Sequence, residues 1–155
     1  MQFGVRVVII LLLAPAAAAL AQAKPSLRIL VDGVTREAEA CGIRQAAIES
    51  TAQKALNQHG IQVSADAKDP YLYLHVNAYR VLQESKAVGC TTRLGVSVRV
   101  ESDSQPYGAF RAKSGAYVVL CEAGRLLSGA QREVAAAITK SFQEDIKSCL
   151  AQLQY

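Results

Sequence analysis

Residues 71–81 read YLYLHVNAYRV, and no other stretch of the 155-residue chain constrains its fold as tightly. Leu72, Leu74, Val76 and Ala78 fall on one side of an extended backbone, and Tyr71, Tyr73, His75, Asn77 and Tyr79 on the other. A period of two over this length marks a half-buried β-strand. Residues 91–100 repeat the pattern, with Leu94, Val96, Val98 and Val100 against Arg93, Gly95, Ser97 and Arg99. Residues 113–121 give a third long strand, more uniformly apolar, which closes before a link bracketed by Gly124 and Gly129. A polar link joins the first two strands through Gly89, and the polar, Pro- and Gly-containing stretch 101–108 makes the hairpin loop between the second and third.

Three strands that each bury one face need a second layer. Residues 42–59 favour helix, contain no internal Gly or Pro, and place Ile48, Ala52, Ala55 and Leu56 on one side, with Gly60 as a C-terminal cap. Residues 130–153 form the longest helix candidate. Its stripe runs Val134, Ile138, Phe142, Ile146, Cys149, Leu150 and Leu153. Short strands at 27–31 and 61–64 complete the order β-α-β-β-β-β-α. The predicted fold class is α+β: a two-layer sandwich, an antiparallel-rich sheet with two helices packed on one face.

The N-terminus reads as an address. Residues 1–23 are hydrophobic at 18 of 23 positions, with Arg6 as the positive n-region, an unbroken apolar run over 7–13, and an A-x-A cleavage site at Ala21-Gln22-Ala23. The expected division is a signal peptide over 1–23 and a single domain over 24–155. The apolar run is too short for a transmembrane span, and no cysteine follows it to carry a lipid. The alanine-rich leader points to a bacterial periplasm, with release from the cell as the alternative. Beyond residue 23 the chain has 16 Lys+Arg against 13 Asp+Glu, spread along its length. That is not the clustered basic footprint of a nucleic-acid binder.

Cys41, Cys90, Cys121 and Cys149 are an even count in an exported chain, which predicts two disulfides. No two lie closer than 28 residues, so neither a redox C-x-x-C pair nor a compact zinc site is indicated. Four cysteines allow three pairings. A hairpin centred near residues 105–106 would set residue 90 opposite 121, and antiparallel helices would bring 41 to 149. The expected pairing is therefore Cys90–Cys121 with Cys41–Cys149.

The helix at 46–59, then Gly60-Ile61-Gln62-Val63, then the alternating Tyr71-Leu72-Tyr73-Leu74-His75-Val76, followed by a meander and a long terminal helix, resembles the LPS-assembly lipoprotein family and related periplasmic envelope-assembly modules. The resemblance lies in element order and implies a two-layer fold in the cell envelope.

Reaction chemistry is not visible. Neither His59 nor His75 has a metal-ligand neighbour at helical spacing, and no metal or cofactor is implied. Nucleophile elbows and phosphate loops are absent, and the adjacent carboxylates Glu144-Asp145 read as solvated helix residues. The sheet face left bare by the helices would show Tyr73, His75, Tyr79, Arg93 and Arg99, aromatic and arginine side chains typical of recognition surfaces. The expected function is a non-enzymatic binding or envelope-accessory protein whose partner is a protein or an anionic envelope component. The alternative is a small exported enzyme whose site assembles only in three dimensions.

Overall fold

A computed structural model describes residues 24–66, 70–101, 106–107, 110–111 and 117–153. The proposed signal segment lies outside the described residues, as does part of the 101–108 loop. The elements are β1 (Ser26–Asp32), α1 (Arg36–Ala40), α2 (Gln45–Gln58), β2 (Gln62–Val63), β3 (Tyr71–Gln83), β4 (Lys86–Glu101), β5 (Pro106–Tyr107), β6 (Phe110–Arg111), β7 (Tyr117–Gly129) and α3 (Gln131–Leu150). Five strands form a mixed sheet in the order β2-β1-β3-β4-β7, and β5 pairs with β6 as a separate two-residue ribbon. β1 runs parallel to β2 and β3, whereas β3, β4 and β7 form an antiparallel meander. The chain is an α+β two-layer sandwich with an open sheet.

Alternation in β3 and β4 decides which face is covered. Leu72, Leu74, Val76, Leu94, Val96 and Val98 are almost wholly buried and form one cluster with Ile48, Ala52, Leu56, Ile138, Phe142 and Ile146 from the helices. Both apolar helix stripes lie where the 3.6-residue period puts them. Gly33 turns the chain out of β1 at φ +81°, and a Cβ there would overlap the Val76 carbonyl. Only glycine tolerates both conditions.

Several elements depart from the sequence reading. A five-residue helix, α1, occupies the stretch read as a polar connector, with the Thr35 hydroxyl accepting from the Ala38 N–H as an N-cap. The link between β3 and β4 is a two-residue turn, Glu84-Ser85, with φ of 48° and 67°. Positive φ at both central positions matches the right-handed strand twist, and neither residue is the glycine that normally flags such a turn. β7 continues eight residues past Cys121 to Gly129, so the supposed link is strand. Asp145 is not solvated. It is buried on α3 and receives Arg125 of β7 at 2.9 and 2.5 Å, while Glu144 takes another guanidinium nitrogen at 2.8 Å. A buried carboxylate needs such a partner, and the misplaced end of β7 hid it.

The disulfides also differ from expectation: they join Cys41 to Cys90 and Cys121 to Cys149, with Cα separations of 6.0 and 5.3 Å. The hairpin register places Cys90 opposite Gly129 and Val98 opposite Cys121, so Cys90 and Cys121 never meet. α3 starts directly after β7 and doubles back along it. Eight strand residues span about 27 Å, and nineteen helical residues about 28 Å, which returns Cys149 to the level of Cys121. At the opposite end, Glu37 and Cys41 lie one turn apart at the end of α1. Their partners Arg80 and Cys90 are directly paired across β3 and β4, and Arg80 holds Glu37 at 2.8 and 3.1 Å. Each disulfide fastens the helical layer to the sheet.

Peptide mapping of the non-reduced protein should recover 41–90 and 121–149 linked peptides and no 90–121 peptide. Each bridge closes a loop of 49 or 28 residues, worth about 4 kcal/mol in the chain-entropy model. A Cys121→Ala/Cys149→Ala variant should lose about that much in urea unfolding. Face assignment has its own test. Leu74→Ala should cost about 2–5 kcal/mol, whereas Tyr79→Ala on the exposed side should change stability by about 0.5 kcal/mol or less.

Candidate functional site

The face away from the helices is a grid set by strand register. Arg28, Leu30 and Asp32 of β1 stand beside Tyr71, Tyr73 and His75 of β3. These in turn pair with Arg99, Ser97 and Gly95 of β4, and the next level pairs Asn77 with Arg93. On β7 the matching positions are Val119, Glu122, Gly124 and Leu126. Tyr73, His75, Arg93 and Arg99 therefore come together as parity predicts. They line one shallow depression of about 210 Å³ with Asn77, Ser97 and Glu122. Tyr79 shares the face but not the depression. It stands 63% exposed where the β3–β4 hairpin runs out beyond the helices.

Arg99 is the most constrained charge on this face. Its Cζ lies 3.6 Å from the Tyr73 ring centroid and 4.3 Å from that of Tyr117. Because β4 runs between β3 and β7, the two rings flank the guanidinium from opposite sides. Its Nε donates to the Ser97 hydroxyl at 2.8 Å, and Ser97 is itself buried. Two aromatic faces and one fixed hydrogen bond hold the group in place. Its two terminal nitrogens make no hydrogen bond or ion pair among the described residues.

Tyr117 was missed in the sequence because a β-bulge puts it there. Cys121 faces the core, so unbroken alternation would send Val119 and Tyr117 inward as well. The register shifts between Val98 and Arg99, leaving Leu120 as the extra residue and turning Val119 and Tyr117 to the open face. No residue type in 117–121 announces that shift.

Asp32 adds a second anchor. It accepts from the Tyr73 hydroxyl at 2.5 Å and from the Gly33 N–H at 2.8 Å, with His75 Nδ1 at 3.6 Å. The Tyr73 and His75 rings stack with centroids 6.1 Å apart. The Tyr73 hydrogen bond holds the Asp32 carboxyl below its ordinary value, against the opposing effect of burial, with Gly33 and His75 adding to the lowering. The same bond raises the Tyr73 phenol above its ordinary value. Burial and the charge of Asp32 add to this, and Arg99 opposes it. Arg28 is engaged with Glu101 at 3.4 Å and lies over the Tyr71 ring. Glu122 and Arg93 border the central depression, and neither side chain makes a hydrogen bond or ion pair among the described residues.

Between them the floor drops. Gly95 and Gly124 are cross-strand partners, so two adjacent positions carry no side chain. The depression continues over Gly124 and Leu126 into a second of about 630 Å³. Among the described residues no group of three or more His, Cys, Asp or Glu gathers as a metal site, and no helix is long and apolar enough to cross a membrane.

No family model matches the sequence, and no curated protein matches it. Solved structures do. A minor lipoprotein from Acinetobacter baumannii matches with 14% identity and a TM-score of 0.42, covering 83% of this chain and 91% of that one. The rare lipoprotein B from Shewanella oneidensis matches with 12% identity and a TM-score of 0.39, covering 81% and 91%. Similarity at this level assigns no function.

The Asp32–Tyr73 bond has a measurable signature. The Tyr73 phenol should titrate above the ordinary tyrosine value of about 10, and Asp32→Asn should bring it back down, as read by NMR of a ring-labelled tyrosine. The signs for stability are opposite. The lowered Asp32 contributes above its unfolded pKa, and that contribution is lost as pH falls through the folded value. The raised Tyr73 contributes below its unfolded pKa, and that contribution is lost as pH rises through the folded value.

Proposed function

We propose that this is an exported, non-enzymatic accessory protein of the bacterial envelope that binds an anionic partner through the open face of its sheet. The observation that carries the reading is Arg99: a guanidinium clamped between Tyr73 and Tyr117, fixed through Nε, with both terminal nitrogens unengaged among the described residues. A merely solvated sheet face has no need to order an arginine in this way. Holding the fork still in advance removes the rotamer entropy that an exposed arginine loses on binding, and a planar donor pair suits an oxoanion. Export is supported by the leader-like residues 1–23 and by two disulfides, which persist in oxidising compartments. The periplasm is the compartment this reading favours.

Binding is a better account of the depression than catalysis. The Ser97 hydroxyl beside Arg99 is buried and accepts from it. Asp32 is occupied by Tyr73. The hydroxyls of Tyr73 and Ser97 and the Asp32 carboxylate are each tied to a neighbour, so no nucleophile and base pair converges on a reacting atom there.

Immobilised mature protein should capture an envelope component from its own cells, and a Tyr73→Ala/Arg99→Ala variant should lose it. An Arg132→Ala variant, changed on α3, should retain it. Equal capture by wild type and the double variant would show that the face is only solvated.

A further inference from the structure

We propose that the Arg99 fork is a carboxylate site, and that its ligand is an amino acid or peptide chain end carrying an N–H donor beside that carboxylate. This inference rests on the open-face reading above and names the ligand class of the same site.

Three features of the face select this chemistry. The first is shape. A guanidinium carbon only 3.6 Å from a ring centroid lies flat on that ring, since an edge-on approach would hold it farther off. With Tyr117 on the other side, the fork opens into a slot. A carboxylate is planar and continues the guanidinium plane. A phosphate is tetrahedral and pushes oxygens toward the rings. The second feature is charge. Glu122 pairs with Ser97, two residues from Arg99 on the same face, and Glu122 and Arg99 line the same depression. Glu122 repels a doubly charged phosphate more than a single carboxylate. The third is the same Glu122 seen as an acceptor. Its carboxylate has no partner among the described residues and borders the same depression. An ammonium or amide N–H two bonds from the ligand carboxylate falls within its reach. The rest of the ligand then lies over the side-chain-free floor at Gly95 and Gly124, where a Cβ on Gly95 would still meet the His75 side chain only at ordinary contact distance.

The test is an NMR titration of the ¹⁵N-labelled mature protein with four probes: free alanine, N-acetyl-Ala-Ala, the C-terminal amide of that dipeptide, and inorganic phosphate. The two acids should shift the amides of residues 95–99 and 122–124, and the amide should bind at least tenfold more weakly than the dipeptide acid. Phosphate should bind at least fivefold more weakly. Free alanine binding tighter than the dipeptide would place an ammonium at Glu122, and the reverse order a peptide N–H; both outcomes support the proposal. Arg99→Lys keeps the charge but removes the fork, and should weaken the acids at least fivefold with the spectrum otherwise retained. Glu122→Gln should weaken alanine and tighten phosphate, a crossed effect that no folding defect produces. Phosphate binding as tightly as the acids at Arg99 would overturn the carboxylate assignment while leaving the open-face reading intact. No shift with any probe up to about 20 mM, beyond the millimolar range that corresponds to roughly −4 kcal/mol, would also overturn it. The capture experiment then judges the broader reading independently.

Discussion

The antiparallel pairing of β3 with β4 is the interaction on which the remaining structure depends. It extends from Tyr71↔Arg99 out to Gln83↔Lys86. It sorts every side chain of two long strands onto one of two faces, because the side-chain period is two. The helix-facing set supplies Leu72, Leu74, Val76, Leu94, Val96 and Val98, without which neither α2 nor α3 has anything to cover. The opposite set supplies Tyr73, His75, Arg93 and Arg99. Core and candidate site are thus two readings of one register. A slip by a single residue would exchange them.

The helical layer is held to that sheet by two kinds of bond, disulfides and ion pairs, distributed around its rim. At one end the Cys41–Cys90 bridge and the Glu37–Arg80 pair use adjacent turns of α1 against two paired strand positions. At the other, Cys121–Cys149 anchors the end of α3. Along the edge, Arg125 reaches from β7 to Asp145 and Glu144. A pair involving a buried carboxylate adds little net stability over an apolar one, but removing one partner costs about 3–5 kcal/mol. The pair therefore acts mainly to fix where α3 sits along β7.

How much of this could be read from the amino acids depends on whether a feature is periodic. The alternation of β3 and β4, the stripes of α2 and α3, and the grouping of Tyr73, His75, Arg93 and Arg99 all follow from regular spacing. The features that were missed break a period or lack a local signal. A one-residue bulge at Leu120 carries Tyr117 across the sheet, and nothing in its neighbours marks it. Glu84-Ser85 adopts a turn that glycine or asparagine would have advertised. Asp32 joins the site through a parallel pairing between β1 and β3, which depends on a contact distant in sequence. The cysteine pairing failed for a related reason. It depends on where the turn is centred, and a shift of about four residues there moves the partner of Cys90 eight residues along β7, from Cys121 to Gly129.

The outer part of the β3–β4 hairpin has a different character from the body. From Tyr79 to Val88 every side chain is exposed, Val81, Leu82 and Val88 among them, and only at its inner end does Arg80 meet the helical layer through Glu37 of α1 among the described residues. Beyond Arg80↔Cys90 its backbone ladder pairs with no third strand among the described residues. Such a ladder behaves like a zipper with one loose end: strand pairs can part from the Glu84-Ser85 tip inward at little free-energy cost. Parting stops at Arg80↔Cys90, where the bridge to Cys41 pins β4 to the second layer. Fraying of the tip is thereby insulated from the Tyr73–Arg99 region, so chain motion at the extremity and rigidity at the face coexist in the same two strands.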